Sequence, residues 1–293
     1  MSAPVIMNKT MDLEDLSHPQ AQVVVDELNT LVEQLSAKKL RISSWLGQFD
    51  LPGDPNSWEF INRGYGYEPL PGAPDDANFP WFLYWEIVWI VMNNEFRRGD
   101  RVLDLGGSSS LFSYCLASRG LDVTTIDLQE NLVRNADHVA KHMGWKLKNF
   151  RMDMRKMCFE DTFDHITSIS VYHTMPPRDR ISVNKSITDL LTSHGKFCLT
   201  FDYRNPARSR HIASPDDIDK QFVKPSGLKM RGNDILYDNG KNYLLHPFYH
   251  PKTLRMTKML CVAKGDFSPL ELLRTKNSND YTFAALFLQR GES

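Results

Sequence analysis

The feature that most constrains this chain is a rhythm. Between residues 96 and 206, short apolar runs alternate with stretches of helical periodicity. Arg101–Leu105 reads as a strand after the turn Arg98-Gly99-Asp100. A helix over about 109–119 follows and stops at Gly120, a residue suited to the left-handed turn that ends helices. The same reading gives a strand at Leu121–Ile126 and a helix at Gln129–Met143 that stops at Gly144. Strands at Leu147–Met152 and His165–Ser170 come next, then a helix at Asp179–Ser193 followed by Gly195. Lys196–Phe201 is the fifth strand. Strands alternating with helices predict parallel βαβ units in a doubly wound α/β sheet. Right-handed crossovers then leave few topologies.

The flanks have a different character. Pro19 after Ser17 predicts a capped helix start, and Val24, Leu28, Leu31 and Leu35 recur at helical spacing behind it. Residues 50–80 are rich in Pro, Gly and Asp and read as loop. Phe79–Met92 is the most apolar run, 14 residues long with Glu86 inside it. A bilayer needs about 20 apolar residues, so this run predicts a buried helix. Trp81, Trp85 and Trp89 fall on one face of it, which favours core packing. The alternative is that Trp81, Tyr84 and Trp85, with Tyr65 and Tyr67, roof a ligand through cation–π contact. Beyond the core, Asp216–Phe222 reads as helix, Leu228–Arg231 as a sixth strand and Tyr281–Leu288 as the last. The long connection at 233–279 is rich in aromatics, His and Asn, and connections of that length are usually functional. The expected organisation is therefore a helical and aromatic cap at 1–95, a core at 96–232, an insertion at 233–279 and a final core strand at 280–293.

Charge and cysteine usage narrow the function classes. Thirty-five Lys and Arg balance 36 Asp and Glu, which argues against an overall basic nucleic-acid binder. Cys115, Cys158, Cys198 and Cys261 are widely spaced with no CxxC pair, so neither a zinc ribbon nor a disulfide framework is expected. Reduced thiols in a cytoplasmic protein are the simpler reading. The first residues carry no apolar core of signal-peptide length. His246 and His250 are four apart, but Pro247 between them disfavours a metal-binding helix, and no metal is expected.

Ligands of open α/β sheets sit beyond the carboxyl ends of the strands. The first strand here runs into Asp104-Leu105-Gly106-Gly107-Ser108-Ser109-Ser110, and the second ends at Asp127, 21 residues after Gly106. A glycine turn with an acid about 20 residues on points to an adenine nucleoside held by its ribose diol. The GxGxxG fingerprint fails at Ser108 and Leu111, which argues against NAD and FAD. No GxxxxGK[ST] is present, so the P-loop reading falls too. Asp104 beside the turn is badly placed for a phosphate and well placed for an ammonium or a sulfonium.

This stretch resembles the class I S-adenosylmethionine-dependent methyltransferases of small-molecule type. The family's first motif is roughly D/E-x-G-x-G-x-G. Its acid and first glycine fall on Asp104 and Gly106, while its later glycines are Ser108 and Ser110 here. The resemblance covers about 96–206 and the final strand. It implies a Rossmann-like sheet of seven strands, the sixth parallel and the last antiparallel, with S-adenosyl-L-methionine as cofactor. Asp127 takes the place of the ribose-binding acid and Asp153 that of the adenine-contacting acid. Gly107, Ser108, Leu128, Met154 and Ser170 complete the implied cofactor site. For each acid the bland alternative is a helix or turn cap.

Methyl transfer needs near-attack geometry more than a universal catalytic group. A base is required only where the acceptor carries a proton. His173, just past strand four, is the first candidate, with Asp202 and Tyr203 at the end of strand five. Trp85, Tyr172, His246 and Tyr249 are the candidate substrate contacts, the last two on a possible lid over 233–279. The expected function is methyl transfer to an oxygen or nitrogen of a small molecule, without nucleic acid or membrane as partner and with a homodimer possible. The alternatives are a nucleic-acid methyltransferase and a catalytically inactive Rossmann-like interaction subunit. Neither an Asn/Asp-Pro-Pro-Tyr element nor a Pro-Cys nucleophile is present to favour the first.

Overall fold

The computed structural model describes residues 6–43, 81–205, 212–244 and 280–291. In chain order the strands are β1 (Lys9–Thr10), β2 (Arg101–Leu105), β3 (Asp122–Asp127), β4 (Leu147–Arg151), β5 (Phe163–Ser168), β6 (Leu191–Tyr203), β7 (Lys229–Met230), β8 (Tyr243–Leu244) and β9 (Asp280–Gln289). The longer helices are α1 (Pro19–Ala37), α2 (Trp81–Asn93), α3 (Leu111–Ser118), α4 (Glu130–Met143) and α5 (Pro177–Leu190).

The sheet runs β4-β3-β2-β5-β6-β9. β2 to β6 are mutually parallel and β9 is antiparallel to β6, as the doubly wound Rossmann-like reading expects. The order reverses between β2 and β5, which opens the crevice for a ligand at the carboxyl end of β2. The sixth position is divided. β6 occupies one edge of β9, so β7 at Leu288–Gln289 and β1 at Ala284–Ala285 share the other. Both run parallel to β6. Nothing in a two-residue run such as Lys9–Thr10 announces a strand.

Period-two alternation divides the core between the two faces of the sheet. Phe283, Ala285 and Phe287 pack with α1, α2 and α3 on one side. Ala284, Leu286 and Leu288 pack with α5 on the other. α2 is buried almost all round, Glu86 included.

Several boundaries differ from expectation for local reasons. Ser17 closes a short 3₁₀ turn, and the side chain of His18 caps α1 instead by accepting from Gln20 N at 3.3 Å. α5 stops at Leu190 rather than Ser193, and β6 begins at once. Gly195 lies inside an irregularity of that strand, where a Cβ would meet Leu191 Cβ at 2.8 Å. The helix expected at Asp216–Phe222 starts at Pro215 and passes into a π turn at Asp219–Val223.

Candidate active site

A cavity of about 760 Å³ opens at the carboxyl ends of β2, β3, β5 and β6. Its floor is the turn after β2. Gly106 has φ +79°, and a Cβ there would stand 2.7 Å from Val171 Cγ2. Gly107 is required by proximity: its Cβ would fall 1.7 Å from Asp104 Oδ2. The two serines at the family's glycine positions need no special backbone. Ser110 is extended at φ −77° and caps α3 by accepting from Ser113 N at 3.0 Å. Ser108 bonds Thr125 Oγ1 at 2.7 Å within the core and does not line the cavity. The left-handed residue of the turn is Ser109, at φ +66°, with its hydroxyl donating to the Leu132 carbonyl at 2.6 Å.

Asp104 lines the cavity but is only 1% exposed. Its carboxylate accepts from Ser113 Oγ at 2.5 Å and Thr167 Oγ1 at 2.8 Å. Burial outweighs those two bonds and pushes its pKa up to about 6. Asp127 and Asp153 do both things weighed for them. Each accepts from the backbone N–H two residues on, at 2.9 Å, and each lines the cavity beside Leu128 and Met154. Burial raises the Asp127 pKa. The Arg155 guanidinium, bonded to both oxygens of Asp153 and reaching Asp179 at 3.3 Å, holds the Asp153 pKa below the usual range.

The other end of the cavity is built from residues distant in sequence. Leu83 and Ile87 of α2, Ser170, His173, Asp202, and Tyr281 and Phe283 of β9 meet there. Ser170 is held at φ +58° by its N–H donating to Thr200 Oγ1 at 3.1 Å. His173 sits in a 3₁₀ turn at Tyr172–Thr174. Its Nδ1 is 3.3 Å from the Asp202 N–H and 3.5 Å from Asp202 Oδ1. In one tautomer Nδ1 accepts from that N–H. In the other Nδ1–H faces the carboxylate, and Nε2 becomes the basic nitrogen. Asp202 Oδ2 also accepts from Asn205 Nδ2 at 2.6 Å.

Three of the expected contacts lie elsewhere. Tyr172 packs between Phe197 and Phe222 on the far side of the sheet, and burial pushes its phenol pKa upward. Tyr203, one residue past Asp202, faces that same far side because strand side chains alternate. Trp85 stacks on Trp89 and donates Nε1–H to Asp15 at 2.8 Å, the buried-face reading of the Trp spacing. His246 and Tyr249 lie outside the described residues.

Sequence reasoning missed Leu83, Ile87, Tyr281 and Phe283 as cavity walls. The signals were present as same-face periodicity on α2 and β9. It also missed Glu86, whose signal was to be the one charge in an apolar helix. Glu86 is fully buried, accepts from Ser170 Oγ at 2.8 Å and Thr200 Oγ1 at 2.6 Å, and has a pKa pushed up to about 8 by burial. Among the described residues, no group of three His, Cys, Asp or Glu is placed to hold a metal ion, and no helix is long and apolar enough to cross a membrane.

Part of the chain is similar to known methyltransferases. Residues 102–195 match the family described as "Methyltransferase domain". The ubiquinone biosynthesis O-methyltransferase of Xanthomonas oryzae pv. oryzae is 27% identical over 170 residues, covering 51% of this chain and 68% of that protein. The crystal structure of PH0226 protein from Pyrococcus horikoshii is 32% identical over a stretch covering 38% of this chain and half of that one, with a TM-score of 0.36. The crystal structure of the [4+2]-cyclase SpnF aligns over 100% of both chains with a TM-score of 0.52 at 12% identity, a likeness of fold.

Proposed function

We propose that this chain acts as a class I S-adenosylmethionine-dependent methyltransferase that transfers the methyl group to an oxygen or nitrogen of a small molecule by in-line displacement. The observation that carries this reading is one continuous cavity. It runs from Asp127 and Asp153 at one end to His173, Asp202 and Phe283 at the other.

The chain suits the cofactor. Gly106 and Gly107 are demanded by the protein's own packing against Val171 and Asp104, and both line the cavity, so the turn presents bare backbone to a ligand. In this reading Asp127 accepts from the ribose hydroxyls, a charge-assisted arrangement. Leu128, Asp153 and Met154 flank the adenine, and Asp104, Gly106, Gly107 and Ser170 face the methionine portion. Bound there, the cofactor supplies a methyl group on an already activated sulfonium.

What the protein adds is position and a proton acceptor. Leu83, Ile87 and Phe283 supply apolar walls that exclude water and hold the acceptor in near-attack geometry. His173 takes the acceptor's proton at Nε2, with Nδ1–H turned to Asp202. The name of the Xanthomonas relatives favours oxygen as the accepting atom.

The acids lining the cavity, Asp104, Asp127, Asp153, Asp179 and Asp202, disfavour a phosphodiester and thus a nucleic-acid substrate. The free thiols of Cys115, Cys158 and Cys198 suit a cytoplasmic enzyme.

The test is calorimetric titration with S-adenosylmethionine and S-adenosylhomocysteine, with NAD as control, followed by radiolabelled methyl transfer to a panel of phenols and amines. Binding of both sulfur ligands that weakens about tenfold or more in Asp127→Ala, with label on a phenol or amine, is the expected result. Binding of NAD alone would overturn the reading.

A further inference from the structure

α2 is apolar along its length except for one acid. Glu86 lies directly behind the cavity wall. Leu83 and Ile87 of the same helix line the cavity, as do Ser170 and Asp202 on either side of it in the sheet. Its side chain is 0% exposed, and all its hydrogen bonding falls on one oxygen. Oε1 accepts from both Ser170 and Thr200, while Oε2 is buried with no hydrogen-bond partner. Thr200 Oγ1 in turn accepts from the Ser170 backbone N–H, so three groups form a closed ring of contacts.

That ring holds an unfavourable backbone. Ser170 has φ +58°, a conformation that non-glycine residues adopt rarely and at a cost. It is also the residue through which the ends of β5 and β6 are stitched together, where cofactor and acceptor would meet. A side chain kept only for packing would not leave a polar oxygen buried and unsatisfied. The shape of the site, rather than core stability, accounts for an acid here.

We propose that Glu86 is a positioning residue: as a neutral acid it ties Ser170 to Thr200 and so fixes the wall on which cofactor and methyl acceptor meet. This rests on the methyltransferase reading of the same cavity.

Ionisation of Glu86 would place a second negative charge beside Asp202, with no bond to steady Oε2. The groups that face α2 from each neighbouring element are few. β6 brings Asp202, whose charge favours the neutral acid. The turn after β5 brings His173, which lies against Asp202. β9 brings the Tyr281 phenol, β8 the Tyr243 phenol against Trp81, and β1 the Lys9 ammonium over the Trp89 ring. The 3₁₀ turn at Leu13–Ser17 brings Asp15, which is held by Trp85 and Lys9. On α1, Asp26 and Glu33 are exposed and Glu27 is held by Arg119.

The experiment uses S-adenosylhomocysteine, so no acceptor need be known. Its affinity is measured by calorimetry from pH 6 to pH 9.5 for the wild type, Glu86→Gln and Glu86→Leu. The infrared carbonyl stretch of a protonated carboxylic acid is followed over the same range. With a pKa of about 8, about one acid in ten stays protonated at pH 9, so wild-type affinity falls about tenfold there. Glu86→Gln keeps a carbonyl for both hydroxyls and cannot ionise. It is expected to match the wild type near pH 7 and to lack the extra alkaline loss. Glu86→Leu, checked for folding by circular dichroism, is expected to bind weakly at every pH. A band component that titrates through about pH 8 is expected in the wild type and missing from Glu86→Gln, while the component from Asp104 titrates nearer pH 6 in both.

The proposal is overturned if Glu86→Gln shows the same alkaline loss as the wild type, or if folded Glu86→Leu binds as tightly. Failure of the wild type to bind at any pH sinks the functional reading instead, and the infrared titration still reports on the acid itself.

Discussion

The two ends of the cavity are built in opposite ways. At the cofactor end the two acids past β3 and β4 are held by their own neighbourhoods. Asp127 accepts from Gln129 N and Asp153 from Arg155 N, each two residues away. At the acceptor end the contacts that bring the elements together are long-range. Glu86 reaches Ser170 across 84 positions and Thr200 across 114, and His173 meets Asp202 across 29. The first kind of site is set once a strand ends in the right tetrapeptide. The second exists only when α2, β5 and β6 are all packed. Mutations of the groups expected to touch each ligand should therefore separate the two ends, Asp127 through binding and His173 through turnover, while Glu86, behind the wall where they meet, acts on binding.

The largest effect is expected from Gly107→Ala. A Cβ 1.7 Å from Asp104 Oδ2 cannot be accommodated without moving the turn. Overpacking of this kind costs about 3 kcal/mol, visible as a lowered denaturant midpoint together with lost cofactor binding. His173→Ala follows, with turnover falling about 100-fold and the affinity for S-adenosylhomocysteine changing little. Equal losses in both would erase the distinction between the ends. Asp127→Ala is its mirror image. Losing charge-assisted hydrogen bonds to the ribose should weaken binding about tenfold or more by calorimetry, while circular dichroism stays native.

The smallest effect sharpens the comparison through pH. Glu86 has a folded pKa of about 8 against an ordinary value of 4.5, so the native state holds a proton that the unfolded chain has released. Its contribution to stability is full below about pH 4.5 and is lost as pH rises to about 8. Asp104 acts in the same sense between its ordinary 3.8 and about 6. Denaturant midpoints of the wild type should therefore decline from pH 6 to pH 8. Glu86→Gln should flatten that decline, and an unchanged slope would assign it to other groups.

This contrast also explains what could be read from the sequence. The alternation over 96–206, Gly120 and Gly144 as helix stops, and Asp127 at the end of its strand are local signals. Each shows in a window of a few residues. The resemblance to the methyltransferase family rests on the same windows. Tyr172 and Tyr203 were harder, because their use depends on which face of the sheet they meet. A shift of one residue decides that, as Asp202 and Tyr203 illustrate. Glu86 stood out in the sequence only as an interruption of an apolar run. Its partners, Ser170 just past β5 and Thr200 in β6, come much later in the chain, so no local pattern could have named them. The pairing of Lys9–Thr10 with β9 was illegible for the same reason.

That pairing has a consequence for how the protein is made. Asn8 Oδ1 accepts from Phe287 N across 279 positions, and β9 lies between β6 and the short strands β1 and β7. During synthesis β6 emerges long before β9, and until then its outer edge has nothing to pair with. The residues around Lys9 wait longest of all. Between the emergence of Tyr203 and that of Asp280 a nascent chain of this kind carries an open, sticky sheet margin. Completion of the sheet therefore comes as a late, cooperative event, and β9 is the segment on which escape from aggregation turns.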